Sequence, residues 1–139
     1  MMKHALALFM LLATRPYTIG AIETNQYGFE GAHFIASYKA CDQDALLDIP
    51  HLLQAMLKAA EASGAQVLSY QIYEFPGGGF TMVILLSESH ASIHTYPEHG
   101  ACFVDLFTCG TNCSSSNFDK CLRSYLKPKD RRCQLLERK

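Results

Sequence analysis

The spacing of hydrophobic residues divides the chain beyond residue 28 into short elements with different periods. Residues 33–38 have the aromatic and branched content of a strand and end at a turn-prone stretch, residues 41–44. Residues 50–64 place their apolar side chains along one stripe, which predicts an amphipathic helix that stops at Gly64. Residues 66–75 alternate like a strand.

Two further segments, residues 80–86 and 101–108, are almost wholly apolar and predict central strands buried on both faces. A second helix is predicted over residues 118–125, with Ser116 and Asp119 at capping-box spacing, and residues 132–137 predict a short edge strand. Strands and helices do not alternate regularly. This order predicts an α+β fold, a two-layer sandwich of a mostly antiparallel sheet with helices on one face.

Composition narrows the class of protein. A chain of 139 residues with 49% hydrophobic and 18% charged residues is typical of a single folded domain. Its formal net charge of -1 offers no general attraction to phosphate backbones or anionic lipids. We therefore expect neither nucleic acid nor a membrane as a partner.

The N-terminal part, residues 1–28, shares no pattern with the predicted domain, residues 29–139. Its apolar run loosely matches a signal peptide within residues 1–21, although Arg15 and Ile19 fit such a signal poorly. The main expectation is a non-exported extension and a cytoplasmic protein, and the alternative is export. In an exported chain, the even number of six cysteines would suggest disulfides.

The chemistry concentrates in residues 87–100, a histidine-containing segment between two apolar strands. Polar side chains at such a place form either a hydrogen-bonded network or an active site. Zinc would need His90 and His94 on one helix face, but the segment has the composition of an extended chain, so no metal is expected. A cysteine nucleophile with a histidine base, for which Cys109 at a strand end is the candidate, is another possibility.

Residues 86–98, followed by residues 104–110, closely resemble the processing site and catalytic strand of the short prokaryotic S-adenosylmethionine decarboxylases. The resemblance implies a proenzyme that cuts its own backbone between Glu88 and Ser89. Ser89 would then become a pyruvoyl cofactor at the start of a new chain.

The cut implied by the resemblance gives a β chain, residues 1–88, and an α chain, residues 89–139. The pyruvoyl carbonyl would form a Schiff base with the substrate amine, so no diffusible cofactor is needed. His94 is implied to assist cleavage, and Cys109 to return a proton to the substrate carbon.

One geometric condition does not depend on the family. In an unbroken strand, residues 89 and 94 point to opposite faces because they differ by an odd number. If His94 acts on Ser89, the chain must bend or bulge between them or break at the cut.

The resemblance also implies substrate contacts. Phe75 and Tyr96 match positions whose aromatic rings sandwich an adenine, although tryptophan is common where Tyr96 stands. Glu98 matches an acid that binds ribose hydroxyls. Thr81 stands where the family often has a serine that aids processing, and it keeps the hydroxyl.

The leading hypothesis is a decarboxylase that converts S-adenosylmethionine into the aminopropyl donor for spermidine synthesis. By resemblance it acts as a dimer of αβ protomers with sites at or near the interface. One alternative is a pyruvoyl-dependent arginine or ornithine decarboxylase on the same fold. Another is a non-catalytic, exported binding domain stabilised by disulfides.

Overall fold

A computed structural model describes residues 29–139, so the predicted extension and possible signal peptide, residues 1–28, lie outside the described residues. The elements follow one another as β1 (Gly31–Lys39), α1 (Gln43–Leu47), α2 (Ile49–Ala62), β2 (Val67–Glu74), β3 (Phe80–Leu86), β4 (Ser89–Tyr96), β5 (Ala101–Thr108), α3 (Ser115–Leu126) and β6 (Asp130–Arg138). A short 3₁₀ turn, Pro97–His99, joins β4 to β5.

The strands form one six-stranded sheet in the order β2-β3-β4-β5-β1-β6, and every neighbouring pair is antiparallel. Helices α2 and α3 pack against each other and bury their apolar stripes in the core. Residues 132–137 lie within edge strand β6, as the sequence predicts. The α+β fold and the antiparallel sheet are confirmed.

Helix α2 forms where the apolar stripe predicts it. The side chain of Asp48 caps its first turn by accepting a hydrogen bond from the backbone N–H of His51, and Pro50 occupies a position where no N–H is needed. The buried side chains of this helix and of α3 cover a single face of the sheet; they include Leu52, Met56, Ala59, Phe118, Leu122 and Leu126.

The prediction that β3 and β5 are buried on both faces was wrong. In β3, Phe80, Met82 and Ile84 are fully buried, whereas Val83 and Leu85 are 42% and 50% exposed. The reason is that residues 29–139 supply a helical layer on one side of the sheet only. We call the uncovered side the open face. Its apolar residues are as hydrophobic as the core, which is why the sequence pattern did not distinguish the two faces.

Two local predictions also differ from the structure. Residues 41–44 do not form a simple turn, because Asp42 caps helix α1 by accepting hydrogen bonds from the N–H groups of Asp44 and Ala45. Helix α3 is capped by Ser114 and not by Ser116. Asp119, the expected partner in that capping box, is instead buried.

The buried Asp119 joins α3 to the sheet. Its carboxylate accepts hydrogen bonds from the Tyr38 hydroxyl at 2.7 Å and from Arg123 Nε at 2.9 Å. Arg131 Nη1 of β6 lies 3.4 Å from the same carboxylate. Burial, followed by the hydrogen bond to Asp119, raises the pKa of Tyr38. Asp119 therefore has capping-box spacing only by coincidence, and its carboxylate instead connects α3 to the sheet.

The described part of the chain contains all six cysteines, and each of them is a free thiol. No helix within residues 29–139 has the length and apolarity needed to cross a membrane.

Candidate active site

Strand β4 carries most of the histidine-containing segment and is fully extended, which confirms that His90 and His94 do not share a helix face. Its side chains alternate. Ala91, Ile93 and Thr95 are buried beneath the helices, so the intervening positions belong to the open face. The open-face residues of β4 are His90, Ser92, His94 and Tyr96.

The residues around the predicted cut meet where β4 begins and β5 ends. Ser89 pairs with Thr108, and the backbone N–H of Cys109 donates a hydrogen bond of 3.1 Å to the carbonyl oxygen of Glu88. That carbonyl belongs to the peptide bond between Glu88 and Ser89. On the other side of this bond, the hydroxyl Oγ of Ser89 lies 3.0 Å from Nδ1 of His90. We call Glu88, Ser89, His90 and Cys109 the cleavage end.

The Glu88 side chain is held by neighbouring backbone. Its Oε2 accepts a hydrogen bond from the N–H of Gln66 at 3.0 Å. A Cβ atom at Gly110 would lie 2.9 Å from both Glu88 Cγ and Cys113 Sγ, so glycine permits this close approach. Burial, and then the nearby Glu88 carboxylate, raise the pKa of the Cys113 thiol. No sequence pattern predicts that Cys113 lies beside the predicted cut.

A second group of predicted site residues lies at the other end of β4. Thr81 pairs with His94 across β3 and β4, and Thr81 Oγ1 shares a hydrogen bond with His94 Nδ1. The His94 ring centroid is 5.5 Å from that of Phe75 and 4.6 Å from that of Tyr96. We call Phe75, Thr81, His94, Tyr96 and Glu98 the aromatic end.

A cavity of about 400 Å³ opens at the aromatic end, lined by Phe75, the glycine turn that follows it, His94, Tyr96 and Glu98. The turn approaches β4 closely, since a Cβ atom at Gly79 would lie 2.9 Å from the carbonyl oxygen of Thr95. Flat rings together with an exposed carboxylate suit a ligand that has both a planar face and hydroxyl donors.

Within one chain the two ends are far apart. Strand β4 keeps an unbroken register with β5 from Ser89 to Tyr96, with neither bend nor bulge. Five residues of strand separate Ser89 from His94, a distance of about 16 Å at a rise of about 3.3 Å per residue. The alternation of the strand also assigns them to opposite faces. His94 therefore does not reach Ser89 of its own chain.

Between the two ends, the open face carries a polar network that the sequence did not indicate. Asp105 of β5 accepts a hydrogen bond from the Ser92 hydroxyl at 3.2 Å, and its other oxygen lies 3.2 Å from Nε2 of His33. The three residues come from β1, β4 and β5, so only strand pairing unites them. Nowhere in residues 29–139 do three or more histidine, cysteine or acidic side chains gather in a way that could hold a metal ion.

Comparison with known proteins gives one consistent result. A family model described as S-adenosylmethionine decarboxylase matches residues 32–139. An S-adenosylmethionine decarboxylase proenzyme of Brevibacillus brevis is 43% identical over 103 residues, which cover 74% of this chain and 77% of the relative. A proenzyme of the same name from Pyrobaculum aerophilum is 38% identical over 100 residues, which cover 71% and 80%.

The fold agrees with these sequences. The crystal structure of the adenosylmethionine decarboxylase from Aquifex aeolicus matches with a TM-score of 0.72 and 31% identity, covering 81% of this chain and 91% of that one. The class is thus an α+β domain with a one-sided helical layer, whose strand β4 presents His90, Ser92, His94 and Tyr96 on the open face. The chain belongs to the S-adenosylmethionine decarboxylase family.

Proposed function

We propose that this chain is a proenzyme that cleaves itself between Glu88 and Ser89 and then decarboxylates S-adenosylmethionine, using a pyruvoyl group made from Ser89. The product would be the aminopropyl donor for spermidine synthesis. The proposal rests mainly on one observation. The Ser89 hydroxyl, the Glu88 carbonyl and Cys109 lie together at one end of the sheet. Two relatives that are 43% and 38% identical to this chain are named S-adenosylmethionine decarboxylase proenzymes.

Cleavage requires an attack by the Ser89 hydroxyl on the carbonyl carbon of Glu88. An ester replaces the peptide bond, and the Ser89 amine is released. Removal of the Ser89 α-proton then expels the Glu88 carboxylate, and hydrolysis of the remaining unsaturated residue releases ammonia. The N–H of Cys109 supports the first step, because it donates to the oxygen on which negative charge develops.

The cleavage end suits the formation of a pyruvoyl group. The Ser89 hydroxyl contacts the His90 imidazole, and the Glu88 carbonyl accepts a hydrogen bond from the N–H of Cys109. Such a group supplies a carbonyl that binds an amino-acid amine and accepts the electrons released as carbon dioxide leaves. Cys109 is half-buried directly after β5 and would hold the proton that the substrate carbon receives.

The aromatic end suits the nucleoside part of S-adenosylmethionine. Phe75 and Tyr96 offer ring faces for an adenine, and Glu98 offers two carboxylate oxygens to ribose hydroxyls. Thr81 would support processing through its hydrogen bond to His94. Ornithine has no planar group and arginine has only a small guanidinium plane, whereas adenine covers a whole ring face, so the nucleoside substrate is favoured.

One chain does not bring its two ends together, so we propose that the site forms between two copies. Val83, Leu85 and Phe103 leave 42–52% of their surface exposed on the open face. Two such faces can pack as stacked sheets with their helices outside. A two-fold axis then sets the cleavage end of one copy against the aromatic end of the other. His94 would thereby lie opposite the start of β4 in the other copy and assist Ser89 there, because the Ser89 hydroxyl lies 3.0 Å from the open-face residue His90.

Intact-mass measurement of the purified full chain tests the cleavage. We expect two chains divided before residue 89, with the second chain bearing an N-terminal pyruvoyl group and resisting Edman degradation. A single uncut chain would contradict the proposed function. The first residue of the upstream chain also tests the cytoplasmic location that we propose, because a chain that begins near residue 22 would indicate export.

Release of carbon dioxide from carboxyl-labelled S-adenosylmethionine, arginine and ornithine tests the substrate. We expect release from S-adenosylmethionine. Release from arginine or ornithine alone would overturn the proposed substrate while leaving the pyruvoyl chemistry intact.

A mixing experiment tests the two-copy site. Cys109→Ala and Glu98→Ala disable opposite ends, so each variant alone should have very low activity. A mixed dimer contains one site with both ends intact, and random exchange should restore about a quarter of the wild-type activity. If both ends of a site belong to one chain, mixing restores nothing.

A further inference from the structure

We infer that His90 is the general base for the first step of self-cleavage, and that it acts on the Ser89 hydroxyl of its own chain. The inference rests on the proposed function and divides the work of processing between two histidines. His90 starts the ester, whereas His94 belongs to the later removal of the α-proton.

The contact between His90 and Ser89 is the primary observation. A general base must lie within hydrogen-bond reach of the proton it takes, and Nδ1 of His90 lies 3.0 Å from Ser89 Oγ. His94 of the same chain is about 16 Å along the strand at 3.3 Å per residue, and its Nδ1 is engaged by Thr81. The cleavage end thus has a base that needs no second copy.

The His90 ring is held in place by its neighbours. Its backbone is paired on both sides, with Leu85 of β3 and Phe107 of β5. Its ring lies against the Phe107 ring, with centroids 5.8 Å apart and planes tilted by 54°. Because the ring is already fixed between two paired strands, His90 Nδ1 stays close to Ser89 Oγ. Little side-chain entropy is therefore lost when the reaction begins.

The step balances in atoms and protons. With the imidazole proton on Nε2, Nδ1 accepts the proton of Ser89 Oγ while Oγ forms a bond to the carbonyl carbon of Glu88. The carbonyl oxygen gains negative charge beside the N–H of Cys109. When the carbon–nitrogen bond breaks, the imidazolium returns the proton to the departing amide nitrogen. The products are an ester and a free amine, and no oxidant or metal takes part.

The test follows cleavage of the full chain made by cell-free translation, as a time course on a gel. The variants are His90→Asn, His90→Ala and His94→Ala, with His51→Ala as a control because His51 is exposed on helix α2. Asparagine keeps a hydrogen-bonding atom close to the position of Nδ1 but has no basic nitrogen. Hydroxylamine added to each sample cuts chains that have reached the ester.

We expect His90→Asn and His90→Ala to cleave about 10² to 10⁴ times more slowly than wild type, the usual contribution of a general base. Their uncut chains should resist hydroxylamine, and added imidazole should speed cleavage of His90→Ala. His94→Ala should accumulate chains that hydroxylamine cuts, and His51→Ala should match wild type.

Cleavage of His90→Asn at the wild-type rate would overturn the inference, as would accumulation of the ester in either His90 variant. Loss of ester formation in His94→Ala alone would assign the base to His94 instead. These outcomes differ from a failure of the proposed function, in which the wild-type chain itself remains uncut.

Discussion

The cleavage end and the aromatic end differ in chemistry although one strand, β4, connects them. The cleavage end presents a hydroxyl, a thiol and a peptide carbonyl that accepts a backbone hydrogen bond. The aromatic end presents rings around a cavity and a carboxylate. The groups that we propose for bond breaking and those that we propose for ligand binding therefore lie about 16 Å apart, as the rise of a strand requires.

The distance between the two ends shows that residues close in sequence do not necessarily form one site. Ser89 and His94 lie in one short motif, yet the regular strand keeps them apart. Ser89 and Cys109 are twenty positions apart in sequence and are neighbours across two paired strands. If each end works with its counterpart in a second copy, substitutions at the two ends should have separable effects on cleavage and on substrate binding.

The largest effect is expected from Ser89→Ala at the cleavage end. Without the hydroxyl there is no nucleophile and no pyruvoyl precursor, so both self-cleavage and decarboxylation should be lost completely. Mass spectrometry should find only the intact chain. Ser92→Ala, on the same strand, removes a hydrogen bond to Asp105 and should still cleave. A cleaved Ser89→Ala protein would show that the cut lies elsewhere.

Cys109→Ala should separate the two functions of the cleavage end. Its backbone N–H remains, so the chain should still cleave, but loss of the thiol should lower kcat by about 10² to 10⁴, as for other proton-transfer groups. Single-turnover assays on the cleaved protein would measure this loss. Cys121→Ala, on helix α3, is the matched control and should keep wild-type activity. An unchanged kcat in Cys109→Ala would remove the proton-donor role.

Glu98→Gln addresses the aromatic end alone. Glutamine replaces a charged carboxylate that can accept two hydrogen bonds. The loss of about 1.5–3 kcal/mol of binding free energy should raise KM for S-adenosylmethionine about 10- to 100-fold. Cleavage before Ser89 should be normal, as a gel will show. Glu137→Gln, at the exposed edge strand, serves as the control. A defect in cleavage equal to that in binding would argue against two separable ends.

The smallest effect is expected from Tyr96→Trp, which enlarges an aromatic surface. Stacking against a wider ring should lower KM about two- to threefold, within the range of aromatic pair energies. The measurement is a comparison of KM values, with Tyr70→Phe on β2 as a control. A higher KM would mean that the larger ring does not fit beside His94, whose centroid lies 4.6 Å from that of Tyr96.

The fold was predictable because its periodicities are local. An apolar stripe predicts helix α2, and β-branched composition predicts strand β4. Each of these structures depends on only a few neighbouring residues. The capping of α3 was misjudged because Ser114 and Ser116 offer the same chemistry, and the tertiary position of Asp119 against Tyr38 decides between them. The exposure of Val83 and Leu85 was misjudged because no sequence pattern states whether a second layer covers the sheet.

The sequence by itself determined which residue types surround Ser89, that the segment is extended, and which family the chain resembles. Only the tertiary structure decided that the N–H of Cys109 meets the Glu88 carbonyl, that His90 contacts the Ser89 hydroxyl, and that the aromatic end is remote from both. The physical reason is that strand rise and alternation fix distances along a chain, whereas neighbours across strands depend on register. Register, in turn, is set by how the whole sheet packs against its helices.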